Sequence, residues 1–270
     1  MVNFGVWRGS LLAEVVAWLW WCWRVVATAL AYSLFGIGGV LLPIILAPFL
    51  YLTVRDPLQR QVRARWVVSF LFKAFIKCVR LLGILRWTVV RPELLSRPGL
   101  LVIANHPTLL DVVFLIAFIP NATCIVKSVL RNNPAMRGFV RMTGYIANDK
   151  GVSMIAAASD AMSAGSTLIV FPEGTRSVDG RPIQLQRGAA NIAVRSGVNI
   201  TPVIINCLPP TLSKEHKWYY VPRRTFEMTF SVGDDIRVDD YCADFPSRSS
   251  RELTEYLENY FTERRANYGK

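Results

Sequence analysis

A histidine and an aspartate lie five positions apart in residues 104–111 (Ala-Asn-His-Pro-Thr-Leu-Leu-Asp), where an apolar run ends and a helical pattern begins. Histidine is the usual general base near neutral pH, and a carboxylate partner fixes its tautomer and stabilises the imidazolium. Residues five apart on one continuous helix point about 140° away from each other. We therefore expect His106 to lie before the helix, in a turn set by Pro107, and Asp111 in the first helical turn. The alternative is that Thr108 and Asp111 form only a capping box; both can hold, since a cap also fixes the carboxylate.

A second candidate site follows another apolar run, at residues 171–177 (Phe-Pro-Glu-Gly-Thr-Arg-Ser). Its glycine, Gly174, permits close approach of a ligand to the backbone, and the planar fork of Arg176 matches phosphate. Taken alone, the segment fits a tight turn with an Arg–Glu surface pair better than a binding site.

Together the two motifs resemble the glycerolipid acyltransferase family, which includes the lysophosphatidic acid acyltransferases. That family is marked by Asn-His, four residues and Asp, and later by Phe-Pro-Glu-Gly-Thr-Arg-Ser, and both motifs stand intact in this chain. The resemblance covers roughly residues 85–207, including a partial match at Thr201-Pro202-Val203. It implies that His106 is the general base for the hydroxyl of a lipid acceptor and that Asp111 orients it.

The resemblance also implies an acceptor-binding set at the second motif. Glu173 and Arg176 would contact the glycerol phosphate of the acceptor, Gly174 and Thr175 would lie beside it, and the backbone around Gly174 is a candidate oxyanion donor. A fifth member, Lys150, comes from a weaker family block at residues 144–150. That block usually ends in aromatic-x-Asp-Arg, whereas this chain ends it with Ala-Asn-Asp-Lys. Lysine is a point charge and not a bidentate fork, so a lipid acceptor with another headgroup remains an alternative.

The mechanism we predict is direct transfer of a fatty acyl group from an acyl thioester, carried by CoA or by acyl carrier protein, to the acceptor hydroxyl. No cofactor or metal is expected, since His106 and Asp111 lack a third ligand at metal spacing. No G-x-S-x-G elbow supports an acyl-enzyme. The alternatives are a lipid or thioester hydrolase that uses the same pair, and a non-catalytic lipid-binding protein.

Short β-rich runs alternate with helical ones after residue 84, and several of the former are apolar throughout, which is typical of strands covered on both faces. We predict an α/β fold with a mixed, largely parallel sheet flanked by helices, preceded by an apolar N-terminal membrane-associated helical segment. The predicted strands are 85–90, 100–104, 123–127, 167–171, 200–206 and 225–232. The predicted helices after the N-terminal segment are 57–82, 108–118, 134–142, 152–163, 187–196 and 248–265.

Three parts are predicted: an apolar membrane anchor at 1–54, a basic amphipathic helix at 55–84 and a catalytic domain at 85–270. Residues 25–54 carry no charge, and about 20 residues suffice for a helix to cross a bilayer. Glycines and prolines such as Pro43 and Pro48 could break this run into two shorter helices. A cleaved signal peptide is the alternative, but Glu14 interrupts the apolar region. The helix at 55–84 fits either the membrane or the surface of the domain.

The net charge is +12, with ten Lys or Arg between positions 55 and 97 against two acidic residues. A basic zone directly after an apolar segment favours anionic lipid headgroups as partners, and the chain shows no nucleic-acid-binding motif. If the apolar segment spans the membrane once, this charge predicts that the catalytic domain lies on the cytoplasmic face. The five scattered cysteines indicate neither a disulfide framework nor a zinc site, which fits a reducing compartment.

Overall fold

The computed structural model describes residues 5–134, 136–148, 152–178, 181–215, 217, 219–241 and 246–267. Its helices are α1 (Gly5–Thr53), α2 (Pro57–Leu81), α3 (Asp111–Phe118), α4 (Ser128–Asn132), α5 (Arg137–Thr143), α6 (Val152–Ser163), α7 (Gly188–Ser196) and α8 (Pro246–Asn267). Its strands are β1 (Leu85–Val90), β2 (Leu101–Ala104), β3 (Ala122–Val126), β4 (Ile146–Ala147), β5 (Thr167–Val170), β6 (Ile200–Leu208) and β7 (Phe226–Val232).

The strands form one sheet of seven in the order β1-β7-β6-β2-β5-β3-β4. Every pairing is parallel except β6 with β7. In the centre of the sheet, Ile103 of β2 is paired with Val170 of β5 and Pro202 of β6. The carboxyl ends of β2 and β5 are therefore neighbours, and the segments that follow them meet at one edge of the sheet.

Helices cover both faces of the sheet, because the central strands are apolar on both sides. One core packs α1, α2, α3 and α5 against the sheet, with Phe114 and Phe230 stacked in it at 5.0 Å between ring centroids. The other core packs α6, α7 and α8 against the opposite face, with Leu168 and Phe261 fully buried. The predicted mixed, largely parallel sheet flanked by helices is confirmed.

The apolar N-terminal segment is one helix in the structure and not two shorter ones. It runs through Pro43 and Pro48, and at Pro43 it packs against Gly138 of α5, where an added Cβ would lie 3.3 Å from the Pro43 ring. Residues 12–53 are long and apolar enough to cross a membrane, and only 11% of the most apolar stretch is buried. Exposed large side chains such as Leu30, Ile45 and Leu52 face away from the domain.

The second helix, α2, packs on the domain along one face and leaves another apolar face exposed. Asp56 caps its start by accepting from the Leu58 and Gln59 amides, with Pro57 in the first turn. Arg65 is buried and donates to the Thr143 carbonyl and to Ser166 Oγ, each at 2.7 Å. These long-range bonds attach α2 to the domain.

The exposed apolar face of α2 includes Trp66 and Phe70. The packing of α2 on the surface of the domain is therefore observed, and contact of its other face with a membrane stays a prediction.

The predicted helices and strands after residue 84 are all present, with ends that differ by up to three residues. One short α-helix and one short strand were missed: α4, of five residues, and β4, which contributes two residues to the edge of the sheet beside β3. Both are too short to carry a hydrophobic period. The division at residues 54 and 84 stays a prediction.

Candidate active site

The turn between β2 and α3 brings His106 and Asp111 into contact. His106 lies in the turn after β2 and Asp111 is the first residue of α3, so the two are not on one helix. Their closest atoms, His106 Nδ1 and Asp111 Oδ2, are 2.8 Å apart. This is the arrangement that the spacing predicts when Pro107 keeps the histidine outside the helix.

Asp111 is fully buried and each of its carboxylate oxygens is hydrogen-bonded. Oδ2 accepts from the Thr108 amide at 2.7 Å as well as from His106, and Oδ1 accepts from the Thr108 hydroxyl at 2.6 Å. That hydroxyl accepts in turn from the Leu110 amide at 3.1 Å. Burial raises the pKa of Asp111, and the bonds from His106 and Thr108 act against that rise. The local cap and the contact with histidine therefore coexist and hold the carboxylate in one position.

One face of the His106 ring packs on Phe171 and its Nδ1 atom bonds Asp111, so Nε2 is the nitrogen that is left available. It stacks on Phe171 with 4.4 Å between ring centroids, and its side chain is 21% exposed. In the described part of the chain Nε2 has no hydrogen-bond partner. With the Nδ1 proton donated to Asp111, the Nε2 lone pair is free to accept a proton.

The second motif, residues 171–177, follows β5 and forms hydrogen bonds with the backbone of His106. Glu173 Oε1 accepts from the His106 amide at 2.9 Å and from Ser177 Oγ at 2.7 Å. The Ser177 amide donates to the His106 carbonyl at 2.7 Å. The carboxylate of Glu173 thus contributes to the position of the histidine in addition to any contact with an acceptor.

Gly174 is in the left-handed region, with φ at +67°. A Cβ at this position would lie 2.6 Å from Gln186 Nε2. Glycine is therefore favoured by the backbone conformation, and a larger residue would also displace the end of the Gln186 side chain.

Arg176 connects the second motif to a segment that the sequence had not indicated. Its Nη1 donates to the carbonyls of Leu212 and Ser213, each at 2.7 Å. The Leu212 carbonyl also accepts from the Leu109 amide at 3.3 Å, and Leu212 adopts φ of +53°. Nothing in the sequence near Leu212 predicts a left-handed leucine, since leucine rarely adopts it.

Asn105, like Leu212, has a structural role that the sequence did not indicate. Its side chain is buried and bonds both backbone groups of Ile205, donating to the carbonyl at 2.8 Å and accepting from the amide at 2.7 Å. It ties the end of β2 to β6 and so fixes where the His106 turn begins.

The predicted acceptor-binding residues are placed as follows. Glu173 and Arg176 are half-buried beside the His106 turn, whereas Gly174 and Thr175 are exposed. Lys150 lies outside the described residues, so its role stays a prediction. Within the described ranges, no three His, Cys, Asp or Glu side chains are grouped so that they could hold a metal ion.

A mostly apolar cavity of about 220 Å³ lies beside the His106 turn. Its walls come from α1, α2, α3 and the chain between residues 211 and 226. The His106 turn lines this cavity with Leu109 and Leu110, and α3 lines it with Val113. The site therefore combines a histidine–carboxylate pair with an apolar space next to it.

The sequence is similar to known lipid acyltransferases over its central part. Residues 86–206 match the protein family described as Acyltransferase. A 1-acyl-sn-glycerol-3-phosphate acyltransferase of Helicobacter pylori is 30% identical over 174 residues, which are 59% of this chain and 69% of that protein. One from Saccharomyces cerevisiae is 29% identical over 158 residues, 54% of this chain and half of that protein.

The fold is similar to a solved structure over almost the whole chain. The crystal structure of a 1-acyl-sn-glycerophosphate acyltransferase from Thermotoga maritima superposes with a TM-score of 0.65. The match covers 93% of this chain and 95% of that one at 22% sequence identity.

Proposed function

Because the chain belongs to the family of O-acyltransferases that includes the 1-acyl-sn-glycerol-3-phosphate acyltransferases, we propose that it acylates the hydroxyl of a lysophospholipid in phospholipid biosynthesis. The acyl group comes from an acyl thioester of CoA or of acyl carrier protein. The observation that carries the proposal is the partly exposed His106, which is bonded to buried Asp111 through Nδ1 and has no partner at Nε2 among the described residues.

In the proposed reaction, His106 Nε2 takes the proton of the acceptor hydroxyl as its oxygen attacks the thioester carbonyl. The charge of Asp111 stabilises the imidazolium that forms. When the tetrahedral intermediate collapses, the carbon–sulfur bond breaks and the imidazolium proton neutralises the thiolate. These reaction steps involve no acyl-enzyme and no metal ion.

We propose the Thr175 amide as a donor to the oxyanion. The Gly174 amide itself donates to the Phe171 carbonyl at 3.2 Å, whereas the Thr175 amide has no partner among the described residues. Thr175 is exposed and belongs to the turn that bonds the His106 backbone. A preorganised backbone donor of this kind stabilises charge that develops in the transition state.

The acceptor headgroup is assigned to Arg176, with Lys150 as a second cation. Arg176 uses Nη1 for the Leu212 and Ser213 carbonyls, which leaves its other nitrogens for an anionic headgroup.

Replacing Arg176 by alanine is expected to raise the apparent KM for the lysophospholipid about 10- to 100-fold, because a charge-assisted hydrogen bond is lost. The KM for the acyl thioester should change little. Steady-state kinetics with each substrate varied in turn check this. Arg176→Lys is the matched variant, since lysine keeps the charge but cannot hold both carbonyls. Equal rises in both KM values would remove Arg176 from the acceptor site.

The reaction class is tested by incubating the protein, in detergent or vesicles, with acyl-CoA and a panel of lysolipids. We expect a diacyl product that requires the lysolipid, with lysophosphatidic acid as a better acceptor than lysolipids with uncharged headgroups. Release of free fatty acid at the same rate without acceptor would assign the site to a hydrolase. Equal use of every headgroup would leave acyl transfer in place and remove the phosphate preference.

We further propose that α1 and the exposed face of α2 hold the protein on the membrane, with the catalytic domain on the cytoplasmic face. The large apolar side chains of α1 that face away from the domain support this attachment. The basic residues that follow residue 54 support the orientation.

Washing membranes with high salt or alkaline carbonate is expected to leave the protein in the membrane fraction. Apolar contact is not screened by salt, unlike charge attraction. Sedimentation followed by immunoblotting measures the distribution, and detergent should release the protein. Recovery in the supernatant after carbonate would contradict attachment through α1.

A further inference from the structure

Arg24 is a buried cation of α1 that has no acidic partner among the described residues. It is 6% exposed, and among the described residues no carboxylate lies within ion-pairing distance of it. Its Nη1 donates to Thr225 Oγ1 at 3.2 Å and its Nη2 to the Arg223 carbonyl, while Nε has no partner in the described part of the chain. A buried cation with only neutral partners is strongly disfavoured unless an anion accompanies it.

Arg24 lies at one end of the apolar cavity beside the active site. Two further polar side chains line this part: Arg224, which is exposed and makes no ion pair within the described ranges, and Thr28, whose buried hydroxyl has no partner. Arg24, Thr28 and Tyr32 are four residues apart along one face of α1, and all three line the cavity. From Arg24 to Tyr32 the helix rises roughly 12 Å.

The other end of the cavity reaches the catalytic machinery. Leu109 of the His106 turn and Leu212 both line the cavity, and the Leu212 carbonyl accepts from the Leu109 amide and from Arg176 Nη1. One elongated molecule could therefore place an anion at Arg24 and a reacting carbonyl near His106.

From these contacts we propose that Arg24 and Arg224 bind the phosphate at the base of the phosphopantetheine arm of the acyl donor, with the arm running through the cavity to His106. The proposal rests on the function proposed above, since it names the site for the donor of that reaction. The phosphate is common to CoA and to acyl carrier protein. An arm of some thirteen bonds reaches about 15 Å when extended, enough for the span along α1.

Two other occupants fit the cavity less well. A hydrocarbon chain would leave Arg24 Nε and the Thr28 hydroxyl without partners, whereas the two amides of the arm offer hydrogen bonds. The phosphate of a lysophospholipid lies only a few bonds from its free hydroxyl, so it belongs near Arg176 and not at Arg24.

The test compares palmitoyl-CoA with palmitoyl-pantetheine, which has the same arm without the phosphate. Arg24→Met is expected to raise the KM for palmitoyl-CoA about 10- to 100-fold and to leave the rate with palmitoyl-pantetheine and the KM for the lysolipid unchanged. Arg224→Met should act in the same direction without disturbing the fold, because its side chain is exposed. Arg195→Met is the control: its side chain is also exposed, but it lies on α7 and does not line the cavity, so no change is expected.

Each outcome decides the proposal. Equal losses with both donors would make Arg24 structural, and a rise confined to the lysolipid KM would assign the cation to a lipid phosphate. Should Arg24→Met fail to fold, an unaltered KM for palmitoyl-CoA in Arg224→Met would overturn the proposal.

The test also separates this site from the proposed function and compares the two carriers. If the unaltered protein transfers from neither donor, the proposed function fails, and calorimetric binding of desulfo-CoA to the same variants still tests the site. With palmitoyl-acyl carrier protein as a second donor, a rise for both carriers assigns the shared phosphate. A rise for CoA alone assigns the nucleotide part and contradicts the shared site.

Discussion

Replacement of His106 by alanine is expected to lower the turnover of acyl transfer by about 10²- to 10⁴-fold, the usual contribution of a positioned general base. The reason is that Nε2 of this ring is the proton acceptor, and it is the group that Asp111 orients. The fold should be unaffected, because the backbone bonds of His106 to Glu173 and Ser177 do not involve the ring. Rates with saturating acyl-CoA and lysophosphatidic acid, together with a thermal melt, measure both effects.

The sequence contains one other histidine, His216, which serves as the control. It lies outside the described residues, and His216→Ala is expected to keep the turnover within a few-fold of the unaltered protein. A His106→Ala protein with turnover close to normal would exclude the proposed mechanism altogether. Binding of both substrates should persist, so that the loss appears in kcat and not in KM.

Replacement of Asp111 by asparagine is expected to cause a loss of similar size, about 10²- to 10⁴-fold. An amide at this position removes the charge that stabilises the imidazolium. Its NH₂ group can also donate to Nδ1, which favours the His106 tautomer that carries the proton on Nε2 and cannot act as a base there. Stability should fall little, because the asparagine oxygen can still accept from the Thr108 amide and a buried charge is removed. The pair of measurements is kcat and the melting temperature.

Thr108→Ala is the matched variant that separates catalysis from capping. It removes the hydroxyl that bonds Asp111 Oδ1 and the Leu110 amide, but it leaves the His106–Asp111 contact in place. We expect about 1 kcal/mol of lost stability and a much smaller loss of turnover than for Asp111→Asn. If Thr108→Ala lowers turnover as strongly as Asp111→Asn does, Asp111 acts as a cap and not as a partner of the base.

The contact between His106 and Asp111 could be predicted because it is local. A short apolar strand, a proline and a helix start lie within a few residues of each other, and the bond geometry of a turn limits where the two side chains can point. That His106 and Glu173 lie near each other could also be inferred, since each follows an apolar run that is typical of a buried strand. Parallel strands in one sheet end at the same edge, which is a general property of the fold class.

The sequence by itself determined the α/β class, the apolar N-terminal helix, the histidine–carboxylate pair and the two motifs, because each depends on periodicity or on residues close in the chain. Tertiary structure alone decided that Glu173 bonds the His106 amide, that Asn105 bonds Ile205, and that Arg176 bonds the carbonyls at Leu212 and Ser213. It also decided that α1 passes the apolar cavity with Arg24 turned into it. The hydrogen bonds among these contacts join residues 36 to 100 positions apart. The pairing of such residues is set by the packing of the whole sheet and its helices, which no local pattern encodes.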